Sequence, residues 1–159
     1  ASLQIIFNIF RQKPIDVLFD KARAAGVSLI VRLPLVSGLL AGKFDKDTSF
    51  PENDHRNFNR NGELFNVGET FAGLEFDRGV EAAEQIKPLV PEPMSMAQMS
   101  IRWILDFPAV TTVIPGASRP QQARDNAACS DLPPLSEDLH RRLQEIYEAQ
   151  VEDNIRGPY

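Results

Sequence analysis

Two apolar runs separated by an amphipathic stretch set the tightest limit on how this chain can fold. "LQIIFNIF" (3–10) and "SLIVRLPL" (28–35) are apolar almost throughout, which suits strands covered on both faces, as in a parallel sheet. Between them "PIDVLFDKARAAG" places Ile15, Leu18, Phe19 and Ala22 at helical spacing, with Lys21 and Arg23 in the later turns and Gly26 as a C-terminal stop. A strand–helix–strand order with no hairpin signal predicts a βαβ unit. "AVTTVIP" supplies a third strand, over 110–115. The fold class is therefore α/β with parallel strands. Three such strands neither close a barrel nor protect their own edges.

The rest of the chain divides into one long polar stretch and several helices. Residues 43–74 contain "DKDTSFPENDHRNFNRNGE", and loops of this length are commonly lids or binding loops. Its asparagine-rich composition predicts little apolar anchoring, with residues 43–66 mobile until a ligand orders them. "FDRGVEAAEQIKPLV" reads as a helix interrupted near Pro88. "SMAQMSIRWILDF" reads as another, opened by a Ser95–Gln98 capping box. A last amphipathic helix starts from Ser136, with acids in its first turn. Trp103 and Tyr147 suit core packing, while His140 is expected on the solvent face and His55 in the long loop. Neither histidine has metal-ligand spacing with another His or Cys.

Composition narrows the function classes. The 159 residues allow one domain with a real core, and the net charge of −5, with no basic run, gives no support to nucleic-acid binding. A single cysteine, Cys129, excludes a disulfide framework and a thiolate metal site. No signal peptide and no apolar run of about 20 residues suggests export or a membrane span. The expectation is a cytoplasmic protein acting on small molecules.

"VIPGASRPQQARDN" (113–126) is the most suggestive stretch for chemistry. A strand is broken at Pro115–Gly116, and a helix opens behind Ser118, which with Gln121 has capping-box form. Glycine and a lone Arg119 beside free helix N–H groups read as an ordinary strand-to-helix turn first and as an anion site second.

Three segments together resolve that choice by resemblance. "VRLPLVSGLLAGKF" (31–44), "AVTTVIPGASRPQQARDN" (109–126) and "LQIIFN" at the start resemble the aldo-keto reductase family. The likeness extends to the closing "IRGPY". It implies the C-terminal part of a (β/α)8 TIM barrel, incomplete in this chain, with the three strands as barrel strands six to eight. It also implies hydride transfer between NADP(H) and a carbonyl substrate. Phosphate sites in such barrels form in the loops after strands seven and eight. By the same resemblance, Gly116 and Ala117 let backbone approach the dinucleotide, and the Ser118 end of the helix faces its adenosine phosphate. Arg119 grips the 2′-phosphate through paired, charge-assisted bonds. Gln122 holds the same phosphate region, while Asp125 and Asn126 contact the adenosine.

The other half of the cofactor falls to the earlier motifs. Gln4 matches the residue bonding the nicotinamide carboxamide. Leu33, Leu35, Ser37, Gly38 and Lys43 match the segment wrapping the pyrophosphate. Arg56 matches an arginine of a closing loop, though it also reads as a solvated loop charge. Arg32 stands where many relatives carry an aromatic ring. A guanidinium plane can stack there too, but a cation beside the nicotinamide should shift its redox balance. The family's tyrosine acid, with its lysine, aspartate and histidine, has no match in this sequence, so no catalytic residue is assigned. Two expectations follow. The chain is either the cofactor half of an enzyme needing an N-terminal half-barrel, or a non-catalytic nucleotide-binding half-barrel or truncated relic without activity. Either way its open strands should require that half or self-association.

Overall fold

The computed structural model describes residues 1–157 and shows a parallel three-stranded sheet with helices packed on one side. Strands β1 (Ser2–Ile6), β2 (Ser28–Arg32) and β3 (Val110–Val113) lie in the order β1-β2-β3. Registers such as Gln4↔Ile30 and Ile30↔Thr112 put these side chains on one face, with a bulge between Leu29 and Ile30. Leu29 and Val31 point the other way and are fully buried in the helix-side core. The open face carries Ser2, Gln4, Ser28 and Thr112 among its apolar residues. The expectation of strands apolar on both faces therefore fails for this side, although Ile30 stays half-covered and Ile114 exposed.

All three strands are shorter than expected, for local reasons. After Ile6 the chain turns at Asn8, whose Oδ1 accepts from Phe10 N (2.9 Å) and whose Nδ2 donates to Leu33 O (3.0 Å). Phe7 and Phe10 are buried by this turn rather than by a ladder. Phe7 packs 4.9–5.2 Å from the rings of Phe19, Trp103 and Phe107. β2 ends at Arg32 because Leu33 adopts a left-handed φ of 56°. Apolar content located the core here without separating strand from buried turn.

The first crossover winds through a wide turn, Ile15–Phe19, into α1 (Asp20–Ala24), and Gly26 stops it at φ 61° as expected. Within 43–74 lie α2 (His55–Phe58) and single turns at Val67–Glu69 and Phe71–Gly73. Next come α3 (Phe76–Ile86), which stops just ahead of Pro88, and α4 (Met96–Leu105). Beyond β3 are α5 (Pro120–Ala128) and α6 (Glu137–Ile146). The α4 capping box forms in both directions, Ser95 Oγ accepting from Gln98 N (3.2 Å) and Gln98 Oε1 from Ser95 N (2.8 Å). Ser136 caps α6 through Leu139 N.

One further expectation is corrected. His140 does not face solvent: it lies against Trp103 and Phe107, its Nε2 2.9 Å from Asp106 Oδ2. Asp106 also takes Arg102 Nε and Leu135 N, and so joins the end of α4 to α6. The long polar stretch is pinned at a few points, although Asn59 is the only fully buried residue over 43–66. Phe44, Phe50, Phe71 and Phe76 form an aromatic cluster with centroid separations of 5.0–6.1 Å. Fully buried Asn59 accepts from Leu64 N and Phe65 N and donates to Thr70. Arg156 clasps the same segment through Gly73 O and Leu74 O. Four phenylalanines spread over 33 positions leave no local pattern for a sequence window to detect. Tyr147 is buried as expected, and Tyr159 lies outside the described residues.

Candidate cofactor cleft

The turn that follows β2 gathers left-handed backbone. Leu33, Val36 and Ser37 all take left-handed φ values of 51–56°, and Gly38 sits at 105°. A non-glycine residue in this region costs on the order of 1–3 kcal/mol, and such strain gathers at functional sites. Gly38 is needed twice over, because a Cβ there would also lie 2.8 Å from the Phe44 ring. Neighbours hold the turn in place. Ser37 Oγ accepts from Phe71 N (3.3 Å) and reaches Glu69 O (3.4 Å).

This turn forms the floor of a cavity of about 640 Å³ over the C-terminal ends of the strands. Gln4, Arg32, Leu33, Leu35, Ser37, Gly38, Lys43, Arg56, Gly116 and Gln122 all line it. A second cavity of about 420 Å³ shares Leu35, Lys43, Gly116 and Gln122 with the first and adds Asp125, Asn126 and the α4 start, Ser95 and Gln98. The two make one elongated cleft, running from the open face of the sheet to the first turns of α5.

Charge is distributed unevenly along it. Arg32 forms a two-pronged pair with Glu69, one contact at 2.6 Å, and both side chains are about 30% exposed (31% and 29%). Glu69's hydrogen bonds and charge raise the Arg32 pKa further. Arg56 donates Nε (2.9 Å) and Nη2 (2.6 Å) to Asp54, and its guanidinium lies 4.5 Å from the Phe50 ring centroid. Hydrogen bonding from Arg56 is the main reason Asp54 falls to about 2. Lys43, at the waist of the cleft, is its one cation without an anionic partner among the described residues.

The α5 end is built differently. Arg119, not Ser118, occupies the N-cap position, with no side-chain cap, so the expected Ser118–Gln121 box does not form. Gln122 Oε1 instead accepts from both Ser118 N and Ser118 Oγ at 2.9 Å. Asn126 Nδ2 reaches back to Gly116 O at 3.3 Å, and Asp125 accepts from Gln121 (2.7 Å). Gly116 has neither a left-handed φ nor any atom within 4 Å of where a Cβ would sit. Ser118 and Arg119 are exposed and line neither cavity.

Residues 1–148 match the Aldo/keto reductase family. The chain belongs to it. Among its relatives, an L-glyceraldehyde 3-phosphate reductase of Escherichia coli O157:H7 is 33% identical over 136 residues, 84% of this chain and 38% of that protein. A probable voltage-gated potassium channel subunit beta of Arabidopsis thaliana is 30% identical, over 81% of this chain and 38% of its own length. A glycerol dehydrogenase from Gluconobacter oxydans superposes over 100% of this chain and 46% of its own, at a TM-score of 0.76 and 22% identity. The holo form of an aldo-keto reductase from Bacillus halodurans superposes at 0.64 and 21% identity, over 99% of this chain and 46% of its own. The chain thus spans less than half the length of these relatives. Among the described residues, no helix is long and apolar enough to cross a membrane.

The groups that set the state of these candidates in the aldo-keto reductase frame, Asp54 and Glu69, are not among the residues that the sequence singles out. Arg56 is not a solvated loop charge, since it is paired and stacked on Phe50. Arg32 is not a free cation, since Glu69, 37 positions away, neutralises it. Asp54 had a local signal, as it caps α2 through Arg56 N (2.9 Å) and stands two residues from the arginine it holds. Glu69 had none.

Proposed function

We propose that this chain is the NADP(H)-binding part of an aldo-keto reductase, an incomplete (β/α)8 barrel. The complete enzyme would reduce an aldehyde or ketone to an alcohol by hydride transfer. The observation that carries this reading is Gly116. Its backbone has no conformational need for glycine and no protein neighbour at the Cβ position, yet it lies at the junction of the two cavities. A side chain there would fill only the space that a ligand would use. The donor set fits an extended dinucleotide. Gln4 supplies an amide at the sheet end, unpaired Lys43 suits a pyrophosphate at the waist, and Asp125 and Asn126 offer polar groups at the far end. Arg119, exposed on the rim, is free to swing onto a 2′-phosphate.

When bound, such a cofactor supplies the hydride. The residues of this chain bind and orient it. No tyrosine or histidine lines the cleft among the described residues, so a proton donor for carbonyl reduction must be contributed from elsewhere. Both outer strands, β1 and β3, have an unpaired edge among the described residues, and exposed edges invite pairing. We therefore expect the chain to work against further strands, from an N-terminal half-barrel or a second copy.

Gly116→Val is the direct test. NADPH fluorescence should show saturable binding to the wild-type chain and almost none to the variant, with the unfolding midpoint unchanged. Equal binding by both would remove Gly116 from the site and the reading with it.

A further inference from the structure

The Arg32–Glu69 pair spans two elements with different tasks. Arg32 ends β2 on the open face of the sheet. It shares this face with Gln4, because the registers Gln4↔Ile30 and Ile6↔Arg32 set alternate residues together. Glu69 ends a single turn, Val67–Glu69, in the packed 43–74 segment. That turn is fixed independently of the ion pair. Asn66 Oδ1 accepts from Gly68 N (2.8 Å), a Cβ on Gly68 would collide with the Arg11 guanidinium, and the Glu69 carbonyl faces Ser37 Oγ. The carboxylate is therefore carried to Arg32 on a prebuilt support. A carboxylate facing a guanidinium in two-pronged fashion fixes its plane as well as cancelling its charge.

Cancellation matters at this end of the cleft if the cofactor lies as proposed above. The adenosine side would sit at Asp125 and Asn126, which leaves the nicotinamide for the Gln4–Arg32 end. A nicotinamide ring is neutral when reduced and positive when oxidised, so any uncompensated charge beside it favours one form over the other. We propose that Glu69 is a positioning residue that holds the Arg32 guanidinium flat with its charge compensated, and so sets the relative affinity of this site for NADP+ and NADPH. The inference rests on the cofactor reading of the cleft.

The test compares dissociation constants for NADPH and NADP+ by calorimetry on the 159-residue chain. Glu69→Gln leaves Arg32 an unpaired cation, and NADP+ binding should weaken about tenfold relative to NADPH, as expected for like charges in a half-exposed site. Arg32→Met leaves an unpaired anion and should shift the ratio about tenfold the other way. The Arg32→Met/Glu69→Gln double variant, neutral on both sides, should return to the wild-type ratio. Opposite shifts cannot arise from a lost structural clamp, and the Arg32→Met arm keeps the inference testable if Glu69→Gln fails to fold. A ratio unmoved in the single variants, or moved alike in all three, overturns the role of Glu69 while leaving the cofactor reading intact. A wild-type chain that binds neither form overturns both.

Discussion

The two walls of the cleft are held by different physics. The wall formed by residues 33–40 and 67–74, with Asn59 between them, is fixed by burial: Phe71, Leu74 and Asn59 are fully inaccessible, and Arg156 bonds Gly73 and Leu74. The opposite wall, α5, buries none of its residues. Its side-chain bonds are short-range and exposed, Gln121 to Asp125 and Arg124 to Gln121, with anchorage left to buried Cys129 just beyond. One wall is a preformed cast. The other is a marginal helix whose free N-terminal N–H groups stay available to an anion. Such a pairing can bind an extended ligand by ordering only one side.

The largest expected effect breaks this comparison at its strong side. Phe71→Ala removes a fully buried ring from contact with Phe76 at 5.0 Å and Phe50 at 5.9 Å. It should lower unfolding free energy by about 3–5 kcal/mol. Gln122→Ala on the α5 wall should change it by no more than about 0.5 kcal/mol. Similar losses in urea denaturation would mean that α5 carries tertiary stability its exposure does not suggest.

Next in size is the effect on cofactor choice. Arg119→Ala should weaken NADPH about ten- to a hundredfold, the roughly 1.5–3 kcal/mol of a hydrogen bond to a charged group, and leave NADH nearly unchanged. Because Arg119 is exposed at the N-cap, the fold should not respond. Equal losses for both cofactors would show that this arginine does not read the 2′-phosphate.

The same contrast explains what the sequence made legible. The α5 wall follows contiguous residues, so its strand, glycine break and helix could be read in "VIPGASRPQQARDN", with only the cap shifted from Ser118 to Arg119. The βαβ order and the Ser95 and Ser136 caps are likewise local in origin. The cast wall is made by residues distant in sequence. Phe44 meets Phe76, Arg32 meets Glu69, and Asn8 bonds Leu33. A polar composition over 43–66 averages over the few phenylalanines that pin the stretch. The left-handed run at Leu33, Val36 and Ser37 was hidden for a related reason. Apolar and β-branched residues argue against such φ values, and only the contacts around the turn hold them there.

Hydrogen exchange with and without NADPH would sharpen the picture on a smaller scale. Protection should rise more over 118–126 than over 66–74, which is already packed. A larger rise around 43–66 would mark that segment as the ligand-ordered loop its composition predicts and reverse the assignment of the two walls.

The smallest effect is acid sensitivity confined to the cast wall. Asp54 caps α2 and receives two bonds from Arg56, and these hold its pKa at about 2 against an ordinary 3.8. A carboxylate whose pKa is depressed by folding stabilises the fold above its unfolded value. That contribution fades as pH falls from about 4 through 2, since the unfolded state takes up the proton first. Arg56 should therefore keep its slowed Nε–H exchange and its stacking on Phe50 at pH 4, and lose both near pH 2. In Asp54→Asn the guanidinium loses its ionic partner at every pH, so the step should vanish from an NMR titration of the Arg56 Nε–H signal. A step that survives in the variant would assign the acid response to another carboxylate. The Arg56–Asp54 pair would then be a contact of little energetic weight, leaving the aromatic cluster to hold that end of the wall.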